Sequence, residues 1–277
     1  MVDVACNVCS RFRDPSFQMK SHKLPLLLSA CALTSLSPGA LLLHWNLDDG
    51  TGTTAADSSG NGYDGGYLTG TPAWTATGGA SGGYVSFDGT DTNEAFRTTS
   101  FPTISGAGFT PFTISTWVRF TNTGNKTPAV LRTGANSSYY SIKTQSGVAR
   151  QVARNTTEVV NTAGAVNDGE WHHIVAVYLG ESSRQIFVDG VAGPEDTMNV
   201  PFLVPTGFSI GALDRSASSV VDEFAGDIDD VQLYDHAISA ADAAYLFNNA
   251  GSAVVPEPST GWMACLALGL GLVRRRR

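Results

Sequence analysis

Between residues 41 and 255 the chain has no cysteine: Cys6, Cys9, Cys31 and Cys265 all lie towards the ends. No disulfide can stiffen this middle stretch, so core burial, with or without a metal, must hold it. Cys6-Asn7-Val8-Cys9 is a lone CxxC without a second pair, which gives a zinc or redox reading little to stand on. Basic residues are also scarce. Over 41–255 there are 9 Lys+Arg against 22 Asp+Glu, a formal charge of −13, while the whole chain reads −8 because the other basic residues crowd into the ends. Such a surface repels nucleic-acid phosphates and excludes DNA or RNA as a partner, but it suits neutral sugars and divalent cations. No internal repeat is present, and nothing predicts a second domain.

What the middle does contain is alternation. In Trp171–Tyr178, His173, Val175 and Val177 share the parity of Trp171, and His172, Ile174, Ala176 and Tyr178 take the other. Both sets are largely apolar, which predicts an interior strand. Gly180–Ser183 is a polar turn, Arg184–Val188 the returning strand, and Asp189-Gly190 a second hairpin turn. Short two-faced strands between tight turns predict an antiparallel sheet packed on another.

The same reading gives strands at Leu41–Leu47, Tyr84–Phe87, Ala95–Thr98, Phe112–Phe120, Ala129–Arg132, Tyr139–Lys143, Val148–Arg154, Glu158–Asn161, Phe208–Gly211 and Gly226–Tyr234. Asp48–Gly66 loses periodicity, and Pro194–Pro205 is proline-bearing loop. One helix is expected. Ser239–Asp242 is a capping-box-like start, Ala243–Phe247 can cover the open edge of the sheet, and Asn249–Gly251 stops it.

The WHH strand and (I/V)FVDG hairpin, with HWNLDDGTGTTAADSSGNGYDG (44–65), YVSFDGTD (84–91), FTISTWVRF (112–120), FSIGALDR (208–215) and GDIDDVQLYDHAISAADAAYLF (226–247), resemble the laminin-G-like, concanavalin A-like jelly-roll family in its own order. The resemblance covers 41–250 and implies an all-β, two-sheet antiparallel sandwich with one short C-terminal helix.

Both ends read as address signals. Met19–Lys23 is a basic n-region and Leu24–Leu33 an apolar h-region, so 19–40 is expected to be a signal peptide and 1–18 an over-extended start. Leu28–Cys31 also resembles a lipobox, which leaves lipidation of Cys31 open beside plain secretion. After a linker at 251–260, the order Pro-Glu-Pro, apolar Gly261–Val273 and four arginines at 255–277 resembles the PEP-CTERM sorting signal. That resemblance implies an exosortase partner, transient membrane contact through the tail, and the envelope of a Gram-negative bacterium. The apolar run falls short of the roughly 20 residues a spanning helix wants.

Asp229 shares parity with Val231 and Leu233, which puts a carboxylate on an apolar face if the strand is regular. It then needs a cation or several donors. A calcium ion takes six to eight oxygens, and Asp57, Asn61, Asp229 and the carbonyls of the SSGNG turn could supply them. The resemblance implies calcium as well. A metal-free network, with Asp229 accepting amides from that turn, stays open. His172 and His173 point to opposite faces and cannot share one ion.

A glycosidase needs two suitably spaced carboxyls. Asp227 and Asp229 alternate correctly but lack a glutamate beside them, and no nucleophile elbow occurs. Trp45, Trp117 and Trp171 read as core, whereas Trp74, Tyr139 and Tyr140 are candidates to stack on a sugar or a partner. The expectation is therefore a non-catalytic module that binds carbohydrate or exopolysaccharide. A structural or adhesive matrix protein and a glycoside hydrolase are the alternatives.

Overall fold

The computed structural model describes residues 39–254, apart from 70, 91–93, 99, 102–103, 105–107, 135–137 and 217–218, and gives 215, 216 and 219 by their backbone only. The start at 1–18, nearly all of 19–40 and the tail at 255–277 lie outside the described residues.

In chain order the elements are β1 (Leu41–Trp45), β2 (Thr54–Ala55), β3 (Gly65–Tyr67), β4 (Ala73–Thr75), β5 (Tyr84–Asp88), β6 (Phe96–Thr98), β7 (Phe112–Arg119), β8 (Lys126–Thr133), β9 (Tyr139–Gln145), β10 (Val148–Arg154), β11 (Glu158–Ala165), β12 (His172–Gly180), β13 (Ser183–Val188), β14 (Val191–Asp196), β15 (Pro205–Ile210), β16 (Leu213–Ser216), β17 (Ser219–Val221), β18 (Ala225–Tyr234) and α1 (Ala240–Asn248). The first sheet runs β14-β13-β12-β7-β18-β5-β4, with β1 also paired to β18. The second runs β11-β10-β9-β8-β15-β6-β3-β2, and β16 pairs with β17 in a separate two-stranded sheet. The two large sheets form the predicted antiparallel sandwich. Tyr84–Phe87 and Ala95–Thr98, neighbours in sequence, belong to different sheets.

The core between the sheets follows the alternation. Phe112, Ile114 and Val118 from β7, Ile174, Ala176 and Tyr178 from β12, and Leu131, Tyr140 and Ile142 from the second sheet are buried in one cluster. The Tyr178 ring stacks on Phe112 with centroids 4.5 Å apart, and its hydroxyl donates to the Val152 carbonyl at 2.9 Å. A buried phenol thus keeps a partner.

The central hairpins form where the sequence puts them. Asp189 and Gly190 both have positive φ, 50° and 74°, the twist a two-residue turn needs. A side chain at Gly190 would also meet the α1 backbone, at 3.0 Å from the Ala244 Cα. Pro194, read as loop, lies inside β14, which is tolerated because β14 is an edge strand.

The capping box at Ser239 forms, with the hydroxyl accepting from the Asp242 amide and the Asp242 carboxylate accepting from the Ser239 amide. The helix covers a face of the sheet and not its edge: Ala243 and Leu246 pack on Val175, Val177, Phe187 and Tyr234, on the outer side of the first sheet. The reason is that this outer row is itself apolar and needs cover. On the far side of the sandwich, Leu213 packs on Val130, Tyr139 and Val152, so the β16–β17 hairpin shields part of the second sheet.

Candidate functional site

One strip on the outer side of the first sheet gathers side chains from three strands and from the residue that precedes a fourth. On β18, Asp227 pairs across the sheet with Ser86 of β5 and Arg119 of β7. Its carboxylate accepts from the Ser86 hydroxyl at 2.6 Å and from Arg119 Nε at 2.8 Å. Beyond Arg119 stands Trp171, just ahead of β12. The Arg119 Cζ lies 4.7 Å from the Trp171 ring centroid and 4.9 Å from that of Tyr84, and the two rings meet edge to face at 5.6 Å. Arg119 and Asp227 remain 29% and 19% exposed, so the strip is open to solvent while its polar groups are held in place. Trp171, read as core, is a half-buried rim residue.

The loop 78–83 borders the strip. Its Gly78 carbonyl accepts from Trp171 Nε1 at 3.0 Å and from Arg119 Nη1 at 3.4 Å. At its other end the Ser81 amide donates to Asp229 Oδ2 at 2.9 Å, and the Gly83 amide donates to Asp48 Oδ1 at 2.5 Å. Gly79 and Gly83 are glycines for lack of room. A Cβ on Gly79 would lie 2.1 Å from the Gly83 carbonyl oxygen and 2.6 Å from Asp229 Oδ2, and one on Gly83 would lie 2.8 Å from the Thr75 carbonyl oxygen and 3.3 Å from that of Leu47. Asp229 Oδ2 and the Gly83 carbonyl thus border Gly79, and Asp48 Oδ1 with the Thr75 and Leu47 carbonyls borders Gly83. Burial, with Asp230 and Asp48 adding their charge, pushes the Asp229 carboxyl up to about 7. An all-oxygen donor set fits calcium and suits a softer metal poorly.

Asp229 reaches this position because β18 is irregular. Asp230 has φ of 44°, and the register with β7 slips between Asp229 and Gln232. The extra residue is a bulge, which puts Asp229 on the outer face beside Trp117 while Val231 and Leu233 stay in the core. The shared parity of the three residues fails for that reason.

The structure does not bring Asp57 and Asn61 to Asp229. β1 has β18 on one edge and Asp57 on the other, through the Trp45–Val231 and Trp45–Asp57 pairings. Asp57 accepts amides from His44, Ser59 and Tyr63 at 3.0, 3.0 and 2.9 Å. Burial pushes its carboxyl up, yet these bonds hold it below its ordinary value. The Asn61 carboxamide donates to the carbonyls of Leu41 and Leu42. Both residues clip β1, and the amides on Asp229 come from 81 and 230, not from the SSGNG turn. No three His, Cys, Asp or Glu side chains converge on a common point among the described residues.

The aromatic candidates are packed. Tyr139 and Tyr140 are each 2% exposed and sit in β9. Tyr140 joins the core, where its hydroxyl accepts from the Leu203 amide and burial lifts its pKa to about 12. Tyr139 lies under the β16–β17 hairpin with its hydroxyl on Glu158. Trp74 is half-buried against Phe96 and donates to the Gly52 carbonyl. Neither tyrosine offers an open stacking face. Arg119 and Tyr84 were missed and Asp227 was weighed only as a catalytic carboxyl, although Arg119 continues the polar parity of Thr113 and Ser115 in FTISTWVRF.

For acid–base chemistry, one carboxyl of a pair must stay protonated. Asp227 is bound by an arginine, and the loop covers Asp229. On the second sheet, Glu158 and Asp222 share the buried Lys143 Nζ at 3.3 and 2.9 Å. Burial pushes the Glu158 carboxyl up, but Tyr139 and Lys143 outweigh it and hold it low. That is the wrong state for a general acid.

Comparison with known proteins follows the same line. A family model described as the concanavalin A-like lectin/glucanases superfamily matches residues 88–244, and the PEP-CTERM protein-sorting motif matches 254–277. No curated protein matches the chain. Among solved structures, Domain 4 of AbnA, a GH43 extracellular arabinanase from Geobacillus stearothermophilus in complex with arabinotriose, is similar at TM-score 0.56 and 18% identity, covering 76% of this chain and 98% of that one. The binding domain of Paraclostridial Mosquitocidal Protein 1 gives 0.58 at 12% identity, covering 76% of this chain and 52% of that one. The botulinum neurotoxin serotype G binding domain gives 0.55 at 12%, covering 75% and 50%. The chain thus spans about half the length of these toxin domains, and at such identities the likeness is one of fold.

Proposed function

The chain belongs to the concanavalin A-like lectin/glucanases superfamily, and on that premise we propose that it is an exported, non-catalytic carbohydrate-binding module. The PEP-CTERM motif at 254–277 implies export and exosortase processing at the cell envelope. We read the envelope as Gram-negative and the ligand as a neutral glycan of its exopolysaccharide. The observation that carries the binding reading is the strip of Trp171, Tyr84, Arg119 and Asp227. Sugars present an apolar C–H face to an aromatic ring and paired hydroxyls to fixed donors and acceptors, and this strip offers both kinds of group side by side.

A glycan array probed with the purified full chain, with arabinan oligosaccharides as the first soluble ligands, tests the reading. Reproducible binding that Trp171→Ala weakens at least tenfold supports it. A blank array favours the adhesive, protein-contacting alternative.

Calcium belongs to the same proposal, at Asp48 and Asp229 with the carbonyls of Leu47, Thr75 and Gly83 around them. When bound it would neutralise both carboxylates and fix the loop that holds Trp171 and Arg119. At a hundredfold excess over its dissociation constant, it is expected to add about 2.7 kcal/mol of stability, a rise of several degrees in melting temperature. Chelator should reverse the rise, and Asp229→Asn should abolish it. A melting temperature indifferent to both ion and chelator removes calcium from the proposal.

A further inference from the structure

Basic residues are few, yet the fold collects them. Cross-strand register places Arg97 of β6, Arg132 of β8, Lys143 of β9, and Arg150 and Arg154 of β10 on the outer face of the second sheet, together with Val130, Tyr139 and Val152. Five of the nine basic residues at 41–255 thus lie on one face, opposite the strip around Trp171, with Lys143 held by Glu158 and Asp222 and Arg97 by Asp214. We propose that the part of this face outside the β16–β17 hairpin recognises a carboxylated polysaccharide, through Arg132 and Arg154, which flank the hairpin-covered Tyr139.

The three residues form one row across the sheet, Arg132 opposite Tyr139 and Tyr139 opposite Arg154. The Arg154 Cζ lies 5.7 Å from the Tyr139 ring centroid. Arg154 interacts with the Tyr139 hydroxyl and Arg132 with Asp214, yet each guanidinium keeps a donor without a hydrogen bond among the described residues. The Nε atoms of Arg132 and Arg154 are buried and make no hydrogen bond among the described residues. Asp214 lies 3.4 Å from Arg132 Nε. That fully buried carboxylate already accepts from Arg97 Nε and Nη2 at 2.6 and 2.5 Å and from the Ser209 hydroxyl at 2.7 Å. One anion is therefore divided between two cations. Burial and the charge of Arg97 hold the Arg132 pKa below its ordinary value, with Asp214 only partly opposing them. The carboxylate nearest Arg154, Glu158 at 4.0 Å, is engaged by Tyr139 and Lys143. With side chains 20% and 24% exposed, both arginines reach solvent.

A planar carboxylate matches a guanidinium fork, and a polymer of uronic acids presents carboxylates at regular intervals along a line. Such a line can follow one face. A nucleic-acid duplex carries its charge around its whole girth and would also meet the acidic remainder of the domain, so the acidic glycan is the better fit.

The test is retention of the purified full chain on immobilised polygalacturonate, beside the same polymer fully methyl-esterified, a duplex oligonucleotide, and a salt series. Retention is expected on polygalacturonate alone at low salt and should fall at least tenfold at about 0.5 M salt. The double change Arg132→Gln and Arg154→Gln should reduce it at least tenfold, and Arg132→Lys with Arg154→Lys should keep part of it. Trp171→Ala should leave it unaltered, which keeps this proposal separable from the neutral-glycan reading. Melting temperatures establish that each variant folds; should the glutamine pair not fold, the single change Arg154→Gln and the salt series carry the decision. No retention at low salt, equal retention on the esterified polymer or the oligonucleotide, or full retention by folded glutamine variants overturns the proposal.

Discussion

Asp57→Ala is expected to cost about 4 kcal/mol of folding free energy, because hydrogen bonds to a charged acceptor are worth roughly 1.5–3 kcal/mol each and three amides lose theirs together. Those amides, from His44, Ser59 and Tyr63, hold the 57–63 loop against β1. The Ser58 hydroxyl, the Ser59 hydroxyl and the Asn61 carboxamide donate to carbonyls of the same strand. Without the carboxylate the loop should detach and leave the edge of β1 open. Urea unfolding with and without calcium is the measurement. A loss below about 1 kcal/mol, or a loss that calcium restores, would show that Asp57 is not the clip between this loop and β1.

The second large effect is acid instability centred on His173. Its ring is 1% exposed, stacks on Trp117 at 5.0 Å and shares a hydrogen bond of 2.8 Å with the Ser115 hydroxyl through Nε2. Burial drives its pKa down to about 4 against an ordinary 6.5, with Asp230 and Asp189 only partly opposing. A lowered folded-state pKa means the fold prefers neutral imidazole. The stability it contributes is complete above pH 6.5 and is lost as pH falls through 4. By pH 4 the loss is on the order of 3 kcal/mol, at about 1.4 kcal/mol per unit. His173→Gln keeps a polar group near Ser115 but cannot titrate, so the free-energy difference from the parent protein should narrow between pH 7 and pH 4. Parallel pH curves for the two proteins would remove His173 as the cause.

What could be read from the sequence was local. Alternation in Trp171–Val188, the Asp189-Gly190 turn and the Ser239 capping box each report on residues adjacent in the chain, and each formed as read. What stayed hidden depends on register between distant strands. Arg119 and Asp227 lie far apart in sequence, and nothing local says that they will oppose one another. The face assigned to Asp229 by parity was wrong because a single left-handed residue, Asp230, breaks the period of two, and no composition signal marks a bulge. The loop 78–83 acts almost wholly through backbone atoms, so its residue types carry little trace of the work. Tyr139 and Tyr140 were placed in β9, but their burial depends on what lies above and below it: Phe202 and Leu203 over one ring, the β16–β17 hairpin over the other.

The ends of the domain meet at one pole. The Ala40 carbonyl accepts from the Asp235 amide, Leu41 lies opposite Tyr234, and the Val254 amide donates to the Tyr234 hydroxyl. Asp227 stands at the other end of β18, roughly 23 Å away at about 3.3 Å per residue. A tether attached beyond Val254 and a polymer gripped at Trp171, Arg119 and Asp227 would then pull along the strands from opposite ends. Loaded in that direction, the ladders joining β18 to β7, β5 and β1 bear force in shear, all rungs at once. Under such a load the domain would resist drag better than if the same bonds could be unzipped one by one.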